Sequence, residues 1–362
     1  MLLQVVTACY IALRALLTFG LLHKRTSSDV RPQVSVVIAA RNEAATLPTL
    51  LSGLLNQTYP HYEVIIVDDR SDDDTPELLR QCQRRDRRLK VVRVTEVPEG
   101  RTPKMHALAQ GIALAHGELL LLTDADCSLP RTWIEGMVGS FKPDVGAVLG
   151  YVGLQAANGT MLEQVQALDY FAMMATLAGA TNLGFPLGAT GANLAYRCST
   201  YEQTGGFEAL PLGAVADDML LIQQVLDKTN WRVVFCDDPR TFVSTAAEPS
   251  LKQLLNQRVR WMAGGQEVLR NNRALLGTSM LIGMLNGMLL SFPVLLHRRN
   301  LRRALVQAVV GRIAADALHL SVAAARFRRW DVLRYLPLWL LLQLPYTIAV
   351  PLYSLSRKWS WK

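Results

Sequence analysis

Charged residues are scarce: Asp, Glu, Lys and Arg make up 19% of the 362 residues, while 50% are hydrophobic. That ratio excludes a disordered chain, which cannot bury enough apolar surface to offset its ordering entropy. Cysteine is scarce too. Cys9, Cys82, Cys127, Cys198 and Cys236 form no Cys-x-x-Cys pair and have no histidine at zinc-ligand spacing. Neither a disulfide scaffold nor a zinc module is expected, and a reducing, cytosolic setting suits the polar part. Internal repeats and low-complexity linkers are missing, which argues against a solenoid or a string of tethered modules. Acidic charge is the minority sign, with 38 Lys and Arg against 30 Asp and Glu, for a net +8. Such an excess suits phosphates or an anionic membrane surface without choosing between them.

What is present is hydrophobicity gathered at the two ends. Residues 274–296 and 335–356 form uncharged runs of 23 and 22 residues, each close to the roughly 20 needed to cross a bilayer. Residues 1–22 carry Arg14 alone and are followed by Lys24 and Arg25. With no basic residue before the run and no small-residue cleavage site after it, segment 1–24 reads as a retained anchor and not a signal peptide. Between 304 and 325 the run is interrupted by Arg312 and Asp316, each costing about 2.5–3.5 kcal/mol at a helix centre. Their four-residue spacing puts them on one helical face, where they can pair. A spanning helix with that face toward protein is expected, the alternative being an amphipathic helix on the membrane surface. The C-terminal membrane region, 270–356, thus holds two or three spanning or re-entrant helices.

Residues 30–265 carry a different pattern. Short β-branched runs at 34–40, 62–69, 90–94, 118–124 and 145–150 alternate with helical stretches such as 46–56, 75–86 and 103–115,. This alternation predicts an α/β fold, a mainly parallel sheet with helices on both faces. Ligands of such sheets bind beyond the carboxyl ends of the strands. There stand Ala39-Ala40-Arg41-Asn42-Glu43, Asp68-Asp69 and Thr123-Asp124-Ala125-Asp126. A turn with good N-caps accounts for Asp74 or Thr75, but not for Asp68 and Asp69, two carboxylates able to accept hydrogen bonds from a ligand. Alternating Asp124 and Asp126 suit a magnesium or manganese ion, which prefers oxygen ligands and can complete its shell from a diphosphate. Lys104 opens a helix after a basic loop. Asp217 and Asp218 could be a solvated helix start or could supply a general base. Gln257, Arg260 and Trp261, at i, i+3 and i+4, share one helix face; Arg can neutralise a diphosphate and Trp can stack on a sugar.

The stretch VSVVIAARNEAATLPTLLSGLLNQTYPHYEVIIVDDRSDDDT, the Asp-x-Asp at 124–126, the pair Asp217-Asp218 and the Gln-x-x-Arg-Trp box at 257–261 together resemble a membrane-bound bacterial glycosyltransferase of family 2 with the GT-A nucleotide-sugar fold, similar to cellulose and hyaluronan synthases. The resemblance implies an inverting transfer from a nucleotide sugar, a UDP-sugar first of all, to a lipid or glycan acceptor. It assigns Ala39, Arg41, Glu43, Asp69, Lys104 and Asp124 to the donor, Asp126 with Asp124 to a Mg or Mn cation, and Gln257, Arg260 and Trp261 to diphosphate or acceptor. It makes Asp218 the base, paired with Asp217, where this chain departs from the family's usual Glu. No nucleic-acid partner is expected. The alternatives are a processive polysaccharide synthase and, in another class, a non-catalytic nucleotide-sugar-binding scaffold.

A cytosolic catalytic domain at the inner membrane would set the topology. Three full crossings after Trp261 would leave seven basic residues outside (Arg298, Arg299, Arg302, Arg303, Arg357, Lys358 and Lys362) against four in the 326–334 loop inside, contrary to the positive-inside tendency. The sequence therefore predicts a re-entrant 274–296, interrupted by Gly283, Asn286, Gly287 and Pro293, and a cytosolic C-terminus.

Overall fold

The computed structural model describes residues 1–23, 28–290 and 299–355. Its chain divides into two compact units: one of Arg25–Gly153 with Gly188–Ala246, the other of Met1–Lys24, Leu154–Leu187 and Ala247–Lys362. The sequence stretch 30–265 is shared between both.

The first unit is built on seven strands: β1 (Val34–Ala40), β2 (Tyr62–Asp69), β3 (Leu89–Val94), β4 (Leu119–Leu122), β5 (Val145–Gly150), β7 (Leu194–Arg197) and β8 (Arg232–Cys236), in the order β3-β2-β1-β4-β7-β5-β8. Strands β6 (Val152–Gln155) and β9 (Val243–Ala246) lie outside this sheet. The pairings are parallel except those of β7, which runs antiparallel to β4 and β5. Every residue of β2, β4 and β5 is buried, as their unbroken apolar runs require of strands covered on both faces. The connecting helices are α2 (Leu47–Leu55), α3 (Thr75–Arg85), α4 (Pro103–Ile112), α5 (Trp133–Val138), α7 (Cys198–Thr204) and α8 (Asp217–Lys228). Helix α4 rides close on the sheet because Gly111 has no side chain: a Cβ there would come within 2.6 Å of Val37 and 2.9 Å of Val67. The five sequence-read strands and the three quoted helices fall within a few residues of these bounds. The antiparallel β7 and the last strand β8 escaped the reading.

The second unit is helical: α1 (Leu2–Leu21), α6 (Met161–Asn182), α9 (Leu251–Asn271), α10 (Arg273–Leu290), α11 (Arg299–Phe327) and α12 (Leu336–Leu355). Four helical segments, Leu2–Leu21, Arg273–Leu290, Leu301–Phe327 and Trp330–Ser354, are long and apolar enough to cross a membrane. A full capping box starts α6, with Thr160 and Glu163 satisfying each other's backbone N–H,. Helices α1 and α6 cross at Gly20 and Gly179, where a Cβ on either would lie 2.1–2.3 Å from the other helix's backbone oxygen. Such small-residue contacts let two helix backbones approach closely.

Helices α1 and α11 run parallel, since their contacts ascend together: Ile11 against Gly311, Arg14 against Asp316, Thr18 against His319 and His23 against Arg326. Helix α10 runs the opposite way, from Leu17, which clusters with Ala274 and Leu275, to Val6, which clusters with Leu285 and Leu289. The re-entrant geometry expected of 274–296 is therefore not adopted in its described part. Helix α10 is unbroken through Gly283, Asn286 and Gly287, and Asn286 is accommodated by donating to the Thr347 hydroxyl of α12 at 2.6 Å. Pro293, like Lys24 at the edge of the anchor, lies outside the described residues.

The polar pair in α11 is turned to protein, as its spacing predicts. Asp316 lies 3.6 Å from the Arg312 guanidinium and 2.7 Å from that of Arg14 on α1, and it accepts the Tyr10 hydroxyl at 2.5 Å. All four side chains are buried. One carboxylate thus serves two guanidinium groups, and its removal would strand both. Asp316→Leu is expected to destabilise the helical unit by about 3–5 kcal/mol, and Arg14→Leu, which leaves Arg312 paired, by clearly less. Thermal unfolding of the purified full chain in detergent measures both; equal losses would refute the shared-carboxylate account.

Candidate active site

The carboxyl ends of β1, β2 and β4 open on the same edge of the sheet, because these strands are parallel neighbours. The turns after β1 and β2 are tied together: Asn42 N–H donates to Ser71 Oγ at 3.0 Å, Glu43 N–H to Thr75 Oγ1 at 2.8 Å and Ala44 N–H to Asp73 Oδ2 at 3.1 Å. Asn42 and Arg70 take left-handed backbone angles there, φ 56° and 57°. Asn tolerates that region better than most residues; Arg70 is held in it by its ion pair with Asp69 at 2.8 Å. Asp69 is buried at the end of β2. Its neighbour Asp68 is committed to the fold, accepting Ser71 N–H at 3.0 Å. Ala39 lies within β1, paired with Val67. Arg41 is exposed in the turn, and Glu43 accepts the Thr46 hydroxyl at 2.7 Å beside the start of α2.

The densest group of charges forms around Lys104, Asp124, Asp217 and Asp218. Pro103 and Lys104 begin α4, a favourable place for proline because its missing N–H would be unpaired anyway,. Thr102 anchors that start, donating its hydroxyl to Ala214 C=O at 2.5 Å. The Lys104 ammonium reaches the Asp124 carboxylate, just past β4. Asp217 and Asp218 are the first residues of α8. Asp218 accepts Gly191 N–H at 2.7 Å and Met219 N–H at 2.8 Å. A Cβ on Gly191 would stand 3.8 Å from both Lys104 Nζ and Asp218 Oδ2, so this glycine lies beside both groups.

Segment 191–193 is fixed from beneath. Thr123 donates to Ala192 C=O at 2.9 Å. Fully buried Asn193 accepts Trp133 Nε1–H at 2.9 Å and donates to the carbonyls of Tyr151 and Thr241 at 2.9 and 3.1 Å. Gly150 is glycine because a Cβ there would meet Asn193 at 2.3 Å. Sequence reasoning missed Asn193; the flanking Gly191 and Ala192 mark a close-packed turn but give no sign of which side chain supports it.

Burial alone would lower the pKa of Lys104, but the charges of Asp124 and then Asp217 hold it above the ordinary lysine value. Asp217 is raised by burial, against the opposing charge of Lys104. Asp218 is pushed up to about 7, first by burial and then by the charge of Asp217. A carboxyl in that range can exchange protons near neutrality, which a carboxyl near 4 does poorly.

Asp126 is exposed in the turn after Asp124, and Cys127 Sγ lies 3.7 Å from its carboxylate. Among the described residues no three His, Cys, Asp or Glu side chains are grouped to hold a metal by themselves. Asp124 and Asp126 fit a hard divalent cation in donor chemistry, provided a ligand such as a diphosphate and water supply the remaining oxygens.

On the helical unit, Gln257, Arg260 and Trp261 share one face of α9. Gln257 donates to Glu248 Oε1 at 2.9 Å, and the side-chain amide of Gln166 on α6 donates to Glu248 C=O at 2.9 Å and accepts Glu248 N–H at 3.1 Å. Trp261 is half-buried beside Arg258 and Tyr170.

A mainly parallel α/β sheet with acidic residues gathered past its strand ends defines a domain of the GT-A glycosyltransferase class. Residues 32–264 match the family described as "Glycosyltransferase like family 2", and the chain belongs to that family. It is 27% identical over 249 residues to a poly-β-1,6-N-acetyl-D-glucosamine synthase of Staphylococcus epidermidis, covering 65% of this chain and 55% of the relative. The corresponding synthase of Staphylococcus aureus strain COL is 27% identical over 261 residues, 68% of this chain and 59% of the relative. The chain thus spans little more than half the length of these curated relatives. Among solved structures, the mannosyltransferase PcManGT from Pyrobaculum calidifontis, in complex with GDP-Man and Mn2+, shares the fold with a TM-score of 0.63 at 20% identity, covering 98% of this chain and 99% of that one.

If Asp218 acts as a base it must be ionised, so glycosyl transfer at saturating donor should rise with pH through a midpoint near 7 and level off above it. Asp218→Asn should lower turnover by about 10²–10⁴-fold and remove that limb of the profile. Rates measured from pH 5.5 to 9 check both; an unchanged limb in the Asn variant assigns the titration elsewhere.

Proposed function

We propose that this chain is a membrane-anchored, inverting glycosyltransferase that moves a sugar from a nucleotide sugar, a UDP-sugar first of all, to a lipid or glycan acceptor. The observation that carries the reading is the cluster of Lys104, Asp124, Asp217 and Asp218 within a family 2 domain. In this reading Asp69 accepts hydrogen bonds from the base, and Lys104, with Asp124, holds the donor near its diphosphate. Ala39, Arg41 and Glu43 belong to the donor side through the resemblance. Asp218 takes the proton of the acceptor hydroxyl, whose oxygen bonds to the anomeric carbon from the face opposite the departing diphosphate. Asp217 keeps the pair poised: its charge helps hold Asp218 in a range suited to a base.

Asp126 and Asp124 would hold a Mg or Mn cation, which when bound supplies Lewis-acid stabilisation of the diphosphate charge. Arg260 is assigned to that leaving group, while Gln257 and Trp261 are assigned to the acceptor, the indole offering a stacking surface for a sugar ring. A second reading, processive polymer synthesis, is favoured by the names of the Staphylococcus relatives. An inert scaffold is disfavoured by the retention of candidate base and metal carboxylates.

Purified membranes incubated with a panel of labelled nucleotide sugars test the activity. One sugar added per acceptor supports single transfer; a ladder of products supports the synthase. Asp126→Asn should abolish the Mg- or Mn-stimulated rate while leaving the unfolding temperature unchanged, and full wild-type activity in excess chelator would remove the metal from the scheme.

The helix directions bear on topology, with the nucleotide-sugar site in the cytosol at the inner membrane. Since α10 runs opposite to α1 and α11 runs along it, we assign a full crossing to each and a third to α12, with the 326–334 loop on the His23 side. This arrangement runs against the charge bias of the loops, so packing, including the Arg14–Asp316 pair, has to override it. A single cysteine at 300 should therefore react with an impermeant thiol reagent from outside, and one at 328 only after the membrane is permeabilised. The reverse pattern, 328 reacting from outside and 300 protected, would restore the re-entrant arrangement.

A further inference from the structure

Asp169 is the one acidic residue of α6 beyond its first turn, in a largely apolar stretch. An ionised side chain among membrane-associated helices is costly and calls for partners. Asp169 finds them on two other helices. Its Oδ2 lies 3.1 Å from the guanidinium of Arg258 on α9, and its Oδ1 accepts Trp339 Nε1–H at 3.1 Å and Gln343 Nε2–H at 3.2 Å from α12. Arg258 is buried, and its guanidinium carbon stands 4.2 Å from the centroid of the Trp261 ring. That is stacking distance for a cation on an aromatic face. Tyr170, next to Asp169, stands with its ring centroid 5.9 Å from that of Trp261, tilted by 52°. The indole is therefore bounded by two groups whose positions both follow from α6, one of them through a carboxylate.

We propose that Asp169 and Arg258 are positioning residues for Trp261: Asp169 fixes the guanidinium, the guanidinium fixes the plane of the indole, and α12 secures Asp169 through Trp339 and Gln343. The inference rests on the reading that Trp261 presents its ring to the acceptor sugar. Neither positioning residue touches the reacting atoms. Their effect falls on acceptor use, because a misplaced platform costs orientation and leaves donor binding alone. Arg at 258 is required for its planarity as well as its charge, since an ammonium could pair with Asp169 but could not lie flat on the ring.

The test uses the full chain in detergent, labelled with 5-fluorotryptophan, the Trp261 and Trp339 signals being assigned by Trp261→Phe and Trp339→Phe. Asp169→Asn should shift the fluorine resonances of both Trp261 and Trp339, and Arg258→Lys that of Trp261 alone. A Trp261 signal unmoved by both substitutions overturns the proposal without touching the acceptor reading. In parallel, transfer from radiolabelled UDP-N-acetylglucosamine to a β-1,6-linked N-acetylglucosamine oligosaccharide is followed as initial rates. Asp169→Asn and Arg258→Leu should each lower kcat/KM for the oligosaccharide by about ten- to hundredfold, with the donor KM within about twofold of wild type. In a Trp261→Ala background Asp169→Asn should cost nothing further. An equal additional loss in that background, or a parallel loss in donor KM, means that Asp169 acts on the fold at large, and overturns the proposal. Unchanged oligosaccharide kinetics in Trp261→Ala itself, with the fluorine shifts present, would instead overturn the acceptor reading.

Discussion

The candidate site depends on one ammonium group. Lys104 pairs with Asp124 and also feels the charges of Asp217 and Asp218, so three carboxylates share the field of one ammonium. Like charges gathered in a partly desolvated edge repel one another strongly, and without that lysine they would resist ionisation. Much of the sheet unit serves to hold Lys104 in place. Gly111 lets α4 lie close on β1 and β2, Thr102 ties its first turn to Ala214, and the pivot at Asn193 holds Gly191 beside both Lys104 and Asp218. The pair at the start of α8 illustrates the balance. A helix N-terminus favours acids there, yet burial and mutual repulsion prevail and push Asp218 up to about 7.

The helical unit uses the same device in reverse, organising helices around single carboxylates. Asp316 gathers Arg14, Arg312 and Tyr10, fastening α1 to α11. Asp169 gathers Arg258, Trp339 and Gln343, fastening α6 to α9 and α12. Apolar helix faces by themselves select a packing partner only weakly. A buried carboxylate supplies that selection, since its charge is tolerable only where its donors are.

Much of this was legible in the sequence, for local reasons. Strands β1, β2 and β5 are continuous β-branched and apolar runs bounded by polar turns, and a run of that kind has few other ways to satisfy its backbone in a core. The positions of Asp69, Asp124 and Asp126 followed from strand ends alone. The four-residue spacing of Arg312 and Asp316 announced a pair on one face. Less legible were the features whose partners are distant in the chain: β7 is four residues long and takes its direction from β4 and β5, and the capacity of α10 to continue through Gly283, Asn286 and Gly287 depends on Thr347 of another helix. Counting loop arginines favoured a re-entrant segment because the count could not include the packing of α10 along the length of α1.

By itself, then, the sequence determined the alternation of strand and helix, the apolar segments at either end and the residue types offered at the strand ends, because periodicity, length and turn chemistry act over a few residues. Tertiary structure alone decided which of those residues meet: Lys104 with Asp124, the Gly191 backbone with Asp218, Arg14 with the Arg312–Asp316 pair, and Asp169 with Arg258 beneath Trp261. Charges at such separations in sequence interact only after the backbone has brought them within a few ångströms. There, with water largely removed, the distances between them fix both the pKa of Asp218 and the partners of each helix.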